Sequence, residues 1–262
     1  MTGKYDLIFS IGEACSCTEC LRSAGLQFAS FPWDWIVFPS LPERAELMCS
    51  GYRGWLERED LEIVKKGPAN GKDVYRNRRN GILYNHDFVA GVRLEEAFPA
   101  VKAKYERRIA HLDRLIREAM RPVLAVRIET PAKRGVPTPL DDCRAFRRRL
   151  AEAYPGKRFE FCLIALDAKR PLKDRIEEEQ EDGLLRVAFD YADHSPGRPE
   201  FAVDSRTLVA FLKKRFTVRD YRTAEEKRAY RELRRRRRYA KEGVAGFWGL
   251  LAKRLRRHLG LA

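Results

Sequence analysis

The sequence predicts an α/β fold with a largely parallel, Rossmann-like sheet, helical insertions and a basic amphipathic C-terminal helix. The apolar run at residues 6–12 ends in glycine and leads directly into a helical stretch, as open α/β sheets begin. After residue 121, strand-like and helix-like segments alternate, which implies right-handed crossovers between parallel strands. A shift in charge near residue 216 separates an α/β domain, residues 1–216, from a basic helical tail, residues 217–262.

Each element follows from its own pattern. A helix is predicted over residues 13–25, and Gly25 provides a natural C-terminal stop. Residues 62–80 are polar and rich in Gly, Asn and Lys, so they predict a loop or an irregular hairpin before a short strand at 81–88. Apolar side chains recur every three or four positions from 101 to 116, which predicts a long amphipathic helix over 98–121. Strands are predicted at 122–128, 158–166 and 184–189, and helices at 141–154 and 205–216.

Composition excludes several classes of protein. Apolar residues make up 44% of the chain and charged residues 35%, which indicates a globular protein rather than a disordered one. The N-terminus lacks a signal-peptide pattern, and no apolar run is long enough to span a bilayer, so we expect a cytoplasmic protein. The motif C-x-C-x-x-C, formed by Cys15, Cys17 and Cys20, has no second ligand pair at zinc-site spacing. We therefore expect neither a metal nor a cofactor.

The basic tail carries most of the net charge. Residues 217–262 contain 15 Lys or Arg and 5 Asp or Glu, a net of +10 out of +15 for the chain. Residues 247–259 place apolar and basic side chains on opposite sides of a helix, a pattern that suits an anionic membrane surface. We therefore expect a location peripheral to the inner membrane face. The alternatives, in order, are a helix docked on the body and a nucleic-acid contact, which the absence of a recognisable binding module disfavours.

Cys15 is the candidate nucleophile because it lies where a buried strand meets a helix. The N–H groups at a helix start stabilise a thiolate and could hold an oxyanion. A cysteine nucleophile also needs a base, and His86 and His194 both follow predicted strands. The candidate substrate-binding residues flank the nucleophile or follow strands: Ser10, Gly12, Glu13, Ser16, Trp33, Arg127 and His194.

Structural interpretations compete with these roles. Cys15 could be a small core residue, and His86 with Asp87 could form a local turn. Asp34 lies among aromatic residues and needs a partner, for which Arg22 and Arg127 are the candidates, because an unpaired buried carboxylate costs several kcal/mol.

Short segments between residues 5 and 130 resemble a bacterial family of unknown function described as papain-like cysteine peptidases. They lie at residues 8–15, 21–22, 30–36, 80–88, 104–109 and 126–127. The resemblance implies that Cys15 is the nucleophile, that His86 is the base, and that Asp87 or Asp34 orients it. Trp33 departs from the family pattern, in which phenylalanine is expected. The later β-α-β alternation also departs from papain-like folds, which lack a doubly wound parallel sheet.

Two functions are consistent with the sequence. The first is a thiol-dependent hydrolase or acyltransferase, and the resemblance adds a glycan- or acyl-bearing substrate in cell-surface polysaccharide metabolism. The second is a non-catalytic protein, which binds a nucleotide or sugar phosphate at the strand ends or acts as a membrane-peripheral adaptor. In this second interpretation Cys15 is inert.

Overall fold

The computed structural model describes residues 3–67, 71–129, 138–166, 176–189 and 206–232. By its contacts the chain forms two units, Met1–Arg219 and Asp220–Ala262. The helices and strands of the first unit, in chain order, are β1 Gly3–Tyr5, β2 Leu7–Ser10, α1 Cys15–Ser23, β3 Ile36–Val37, α2 Leu41–Cys49, β4 Leu61–Lys65, β5 Lys72–Asn77, β6 Leu83–Val89, α3 Leu94–Glu118, β7 Val123–Glu129, α4 Leu140–Ala153, β8 Phe159–Leu166, β9 Ile176–Glu181, β10 Leu184–Phe189, α5 Arg206–Arg215 and β11 Phe216–Val218. Two short 3₁₀ turns lie at Pro32–Trp35 and Arg58–Asp60.

The first sheet has the strand order β2-β7-β8-β10-β9. The strands β2, β7, β8 and β10 are parallel, whereas β9 pairs antiparallel with β10 at the edge. Every residue of β2 and β7 is buried, and both strands begin with apolar runs, Leu7–Phe9 in β2 and residues 123–126 in β7. The core on one side of this sheet includes Ile8, Leu124 and Val126 together with apolar residues of α1 and α5. The α/β class is therefore confirmed.

The second sheet is antiparallel, with the order β3-β6-β5-β4. The prediction of one largely parallel sheet is therefore too narrow, because β3, β4, β5 and β6 form this separate antiparallel sheet. The irregular hairpin, one of the two alternatives predicted for residues 62–80, corresponds to β4 and β5, whose pairing shifts register, and the strand predicted at 81–88 corresponds to β6. The strand β5 alternates between buried and partly or fully exposed positions, and β4 is buried only at Leu61. Such strands expose charged side chains on one face, and this weakens the apolar signal on which the sequence prediction depended.

The strands β1 and β11 form a small parallel pair, with Tyr5 opposite Val218. The rings of Tyr5 and Phe216 meet edge to face at 5.8 Å. The helix α5 ends at Arg215, so residues 216–218, which the sequence analysis assigned to a helix end and the tail, form a strand of the first unit.

The second unit is described over residues 220–232 and contains a helix from residue 224 onward. Thr223 and Glu226 cap its start reciprocally: the Thr223 N–H donates to Glu226 Oε2 at 2.8 Å, and the Glu226 N–H donates to Thr223 Oγ1 at 3.1 Å. The amphipathic segment 247–259 lies outside the described residues, so its membrane contact stays a prediction. Within the described ranges, no helix combines the length and apolarity needed to cross a bilayer.

Candidate functional site

Gly12 allows α1 to begin directly against the end of β2. A Cβ at position 12 would lie 2.2 Å from the Cβ of Cys17, far inside van der Waals contact. The N–H of Gly12 donates to Ser10 Oγ at 3.2 Å, and the N–H of Ile11 donates to the Val126 carbonyl at 2.8 Å. The strand-to-helix junction is therefore tight, and it fixes the first turn of α1 at the carboxyl end of the sheet.

The helix α1 has a core face and an outer face. Cys17, Cys20 and Leu21 are buried in the core, and the Cys17 thiol donates to the Val126 carbonyl at 3.3 Å. Burial raises the pKa of Cys17 to about 11, so this thiol is neutral and structural. Cys15, at the start of the outer face, is the member of the cysteine motif that is only partly buried. In the part of the chain that the structure describes, no three His, Cys, Asp or Glu side chains are grouped to hold a metal.

The Cys15 thiol is neutral at rest, contrary to the expectation of a stabilised thiolate. Burial is the largest influence and raises its pKa, and the carboxylate of Glu19 raises it further. The N–H groups of Cys15 and Ser16 act in the opposite direction, as a helix start should, but they do not outweigh the burial. Reaction at Cys15 therefore requires a base.

Glu19→Gln is expected to lower the pKa of Cys15, because it removes a negative charge that disfavours the thiolate. At a fixed, mildly alkaline pH, alkylation of Cys15 by iodoacetamide should then become faster, and its pH midpoint should shift downward. The experiment uses a Cys49→Ser background, because Cys49 is also partly exposed. An unchanged midpoint would show that Glu19 does not influence the thiol.

His86 points outward because the pairing of β6 is irregular. Between the pairs Asp73↔Phe88 and Tyr75↔Tyr84, β6 advances four residues while β5 advances two. Tyr84 and Phe88 are buried, but His86, which alternation would place on their face, is exposed. Bulges of this kind often re-aim a side chain beside a functional site.

The ring of His86 is linked by packing to the outer face of α1. It meets Trp35 edge to face at 5.9 Å between ring centroids, and the guanidinium of Arg22 lies 5.4 Å from the centre of the Trp35 ring. Arg22 lies two helical turns after Cys15, so both residues share the outer face of α1. Among the described residues, Cys15 and His86 form no hydrogen bond with each other.

Asp87 anchors β6 to α3. Its carboxylate accepts a hydrogen bond from the Tyr105 hydroxyl at 2.8 Å and forms an ion pair with Lys104. The side chain of Asp87 is 2% exposed, whereas His86 beside it faces solvent. Asp87 therefore holds the bulged segment in place, and its described hydrogen bonds are directed to α3 rather than to His86.

Asp34 is the centre of a buried hydrogen-bond network. It accepts from the Phe31 N–H at 2.8 Å, from Gln27 Nε2 at 2.8 Å and from Thr18 Oγ1 at 2.9 Å. Gln27 in turn accepts from the Ser10 N–H at 3.0 Å, so the network joins β2, α1 and the Pro32–Trp35 turn. Burial raises the pKa of Asp34, although these donors oppose the effect.

The sequence model of one protein family matches residues 6–167, which is more than half of the chain and includes Cys15, Asp34 and His86. The chain belongs to the family described as "Putative papain-like cysteine peptidase (DUF1796)". This confirms the resemblance found in the sequence. The chain matches no curated protein and no solved structure at a significant level.

Arg127, which lies in the segment that the family model matches, donates hydrogen bonds to several acceptors. Its Nε donates to Glu129 at 3.1 Å and to Thr138 at 3.0 Å, and its Nη1 donates to the Ile11 carbonyl at 3.2 Å. The side chain is 3% exposed, so in this structure it is a buried residue that connects the ends of the strands through these hydrogen bonds. Of the two partners considered for Asp34, Arg22 lies close, at 3.7 Å.

The other candidate substrate-binding residues differ in their access to solvent. Ser10 and Trp33 are fully buried and Gly12 is buried, and Trp33 packs edge to face on Trp55 at 4.6 Å. Glu13 and Ser16 are each 8% exposed beside Cys15 in the chain. His194 lies outside the described residues. In this structure Ser10, Gly12 and Trp33 can act on a substrate only through their neighbours.

Sequence analysis missed the roles of Thr18 and Gln27. Thr18 lies three positions after Cys15, one helical turn away, and its side chain is fully buried beside Asp34. Gln27 follows the helix in a loop, and nothing in the local sequence marks it as the residue that connects Ser10 with Asp34.

Proposed function

We propose that this protein is a thiol-dependent hydrolase or acyltransferase in which Cys15 is the nucleophile. The observation that carries the proposal is the position of Cys15 as the first residue of α1, at the carboxyl end of β2 and within the region matched by the family. In open α/β sheets, ligands bind in the crevice beyond the strand carboxyl ends. Cys15 keeps part of its side chain accessible there.

The first turn of α1 can stabilise an oxyanion. Its N-cap is Ala14, whose side chain makes no capping hydrogen bond, and the N–H groups of Cys15 and Ser16 act on the Cys15 thiol itself. These groups carry positive partial charge and would receive the oxygen of a tetrahedral intermediate. A polar N-cap side chain would compete for the same donors.

The reaction requires a proton transfer from a neutral thiol. As the Cys15 sulfur attacks an acyl carbon, His86 takes the thiol proton, and the oxyanion develops against the first turn of α1. The C–X bond then breaks, the leaving group takes the proton from His86, and a thioester remains on Cys15. Water or an acceptor hydroxyl then attacks the thioester and restores the thiol. Transfer to a glycan hydroxyl, which the resemblance implies, is the acyltransferase form of this reaction.

The two candidate carboxylates act in this proposal as positioning residues. Asp34 fixes the Pro32–Trp35 turn through the Phe31 N–H and thereby holds Trp35 against His86. Asp87 fixes the bulged part of β6 on α3 through Tyr105. Each carboxylate would therefore orient His86 through other residues.

The experiment is catalytic hydrolysis of p-nitrophenyl acetate. We expect turnover that disappears in Cys15→Ala and falls on the order of 100-fold in His86→Ala, because a positioned base contributes about that much. Cys49→Ala is the matched control, because Cys49 is a partly exposed thiol that donates to the Arg149 carbonyl. Equal turnover by Cys15→Ala and the parent protein would refute the proposal.

A further inference from the structure

A second concave site lies between α3 and the chain that follows α2. It is a cavity of about 370 Å³, within the size range of small-molecule sites. One face of α3 forms one wall, and the segment from Met48 to Glu57 forms much of the other. None of the lining residues belongs to α1, so this cavity is separate from the surroundings of Cys15.

Several aromatic rings line this cavity. Trp55 packs against Tyr52 at 5.4 Å and against Tyr105 at 5.7 Å, and Tyr154 also lines the cavity.

The backbone of Tyr52 has φ +60°, a left-handed conformation that is strained for a bulky residue. A hydrogen bond from the Tyr52 N–H to the Leu47 carbonyl, 2.6 Å long, holds it there.

The cavity is acidic in a strongly basic protein. Its lining contains three carboxylates, Glu57, Glu106 and Asp113, and one ammonium, Lys102, whereas the chain as a whole carries a net charge of +15. Lys102 pairs with Glu57 at 2.7 Å, and Asp113 pairs with Arg117 at 2.8 Å. Glu106 is exposed and forms no ion pair with any residue that the structure describes, although its charge also acts on the ammonium of Lys102.

We propose that this cavity binds an organic cation with an apolar body, of the alkylammonium type. The faces of aromatic rings carry negative potential and attract such cations, most strongly where water is excluded. Lys104 and Arg108 already lie over the Tyr105 ring and Arg117 over the Tyr154 ring, so the ligand would be received by Tyr52 and Trp55. The carboxylate of Glu106 adds attraction at the rim, and Ile109 contacts the apolar part of the ligand. Anionic ligands such as phosphates or carboxylates would be repelled by the same lining.

Calorimetric titration of the full chain with choline and with dimethylbutanol tests the proposal. The alcohol is the 3,3-dimethyl-1-butanol isomer, in which a carbon replaces the ammonium nitrogen of choline. The two probes therefore share a shape and differ in charge. We expect choline to bind with a Kd on the order of 1 mM, about tenfold more tightly than the alcohol. Equal affinity for the two probes, or no choline binding up to about 50 mM, would overturn the proposal.

Three variants place the binding in this cavity. Glu106→Gln should weaken choline binding about threefold and leave the alcohol unchanged. Glu118→Gln is the matched control, because Glu118 lies on the same helix, is exposed and pairs with Arg114 at 2.9 Å. Ile109→Trp should fill the cavity and abolish both bindings. Choline binding that is unchanged in both Glu106→Gln and a folded Ile109→Trp variant would overturn the assignment.

Discussion

Asp34→Ala is expected to lower the free energy of unfolding by about 3–5 kcal/mol, measured by urea denaturation. The substitution leaves the Phe31 N–H, Gln27 Nε2 and Thr18 Oγ1 without their shared acceptor. Each buried donor that loses its partner costs about 1–3 kcal/mol, and the network joins three elements of the fold. A loss below about 1 kcal/mol would show that these hydrogen bonds contribute little.

Asp34→Asn is the matched control for the network. An asparagine oxygen can accept from the Phe31 N–H and Gln27, and its amide can donate to the Thr18 hydroxyl, so we expect a cost below about 1 kcal/mol. Because burial raises the pKa of Asp34, the folded state binds this proton more tightly than the unfolded state. The parent protein should therefore gain stability relative to Asp34→Asn as the pH falls through the raised pKa towards the unfolded value.

The same pair of variants separates two roles for Asp34 in catalysis. If Asp34 positions Trp35 and His86 through hydrogen bonds, Asp34→Asn should keep most of the activity on p-nitrophenyl acetate. If its negative charge orients the base directly, Asp34→Asn should lose activity on the order of 10⁴-fold although the fold is intact. We expect the first result.

Gly12→Ala is the second substitution with a large expected effect. The new methyl group would lie 2.2 Å from the Cβ of Cys17, so α1 must move away from the end of β2. We expect a loss of about 3 kcal/mol in the free energy of unfolding and a loss of activity, since Cys15 moves with the helix.

A double-mutant cycle with Cys17→Gly tests the cause. Removing the Cys17 Cβ relieves the contact, so the double variant should be more stable than the sum of the single effects predicts, by about 1–2 kcal/mol. Additive effects would show that the close approach of Gly12 to Cys17 is not the source of the destabilisation. Hydrolysis of p-nitrophenyl acetate, measured on the same variants, reports whether the position of Cys15 is restored.

The elements that the sequence predicts correctly have an uninterrupted apolar run or a regular apolar period. The run before Gly12 and the periodic segment from Val101 to Ile116 correspond to β2 and α3 in the structure, although α3 extends over Leu94–Glu118. The antiparallel sheet was predicted only in part: the hairpin alternative for residues 62–80 and the strand at 81–88 correspond to β4, β5 and β6, but their pairing into one sheet with β3 was not predicted. Its strands are short and half-exposed, and their pairing is a tertiary property that local patterns do not contain.

The candidate site was predictable in position but not in electrostatics. The strand-to-helix junction at Cys15 is visible in the sequence, whereas the balance between burial and backbone N–H groups, which decides the pKa of the thiol, depends on packing. The outward direction of His86 depends on a bulge between β5 and β6, and a register irregularity leaves no mark in the sequence of one strand.

The most direct test of Cys15 as the nucleophile is to locate the acyl group by peptide mass spectrometry. The protein is mixed with p-nitrophenyl acetate and quenched in acid during turnover. We predict an acetyl thioester on the peptide that contains Cys15, which disappears when the ester is exhausted and is absent from Cys49. Acetylation confined to lysines or to other cysteines, with Cys15 unmodified throughout turnover, would contradict the assignment.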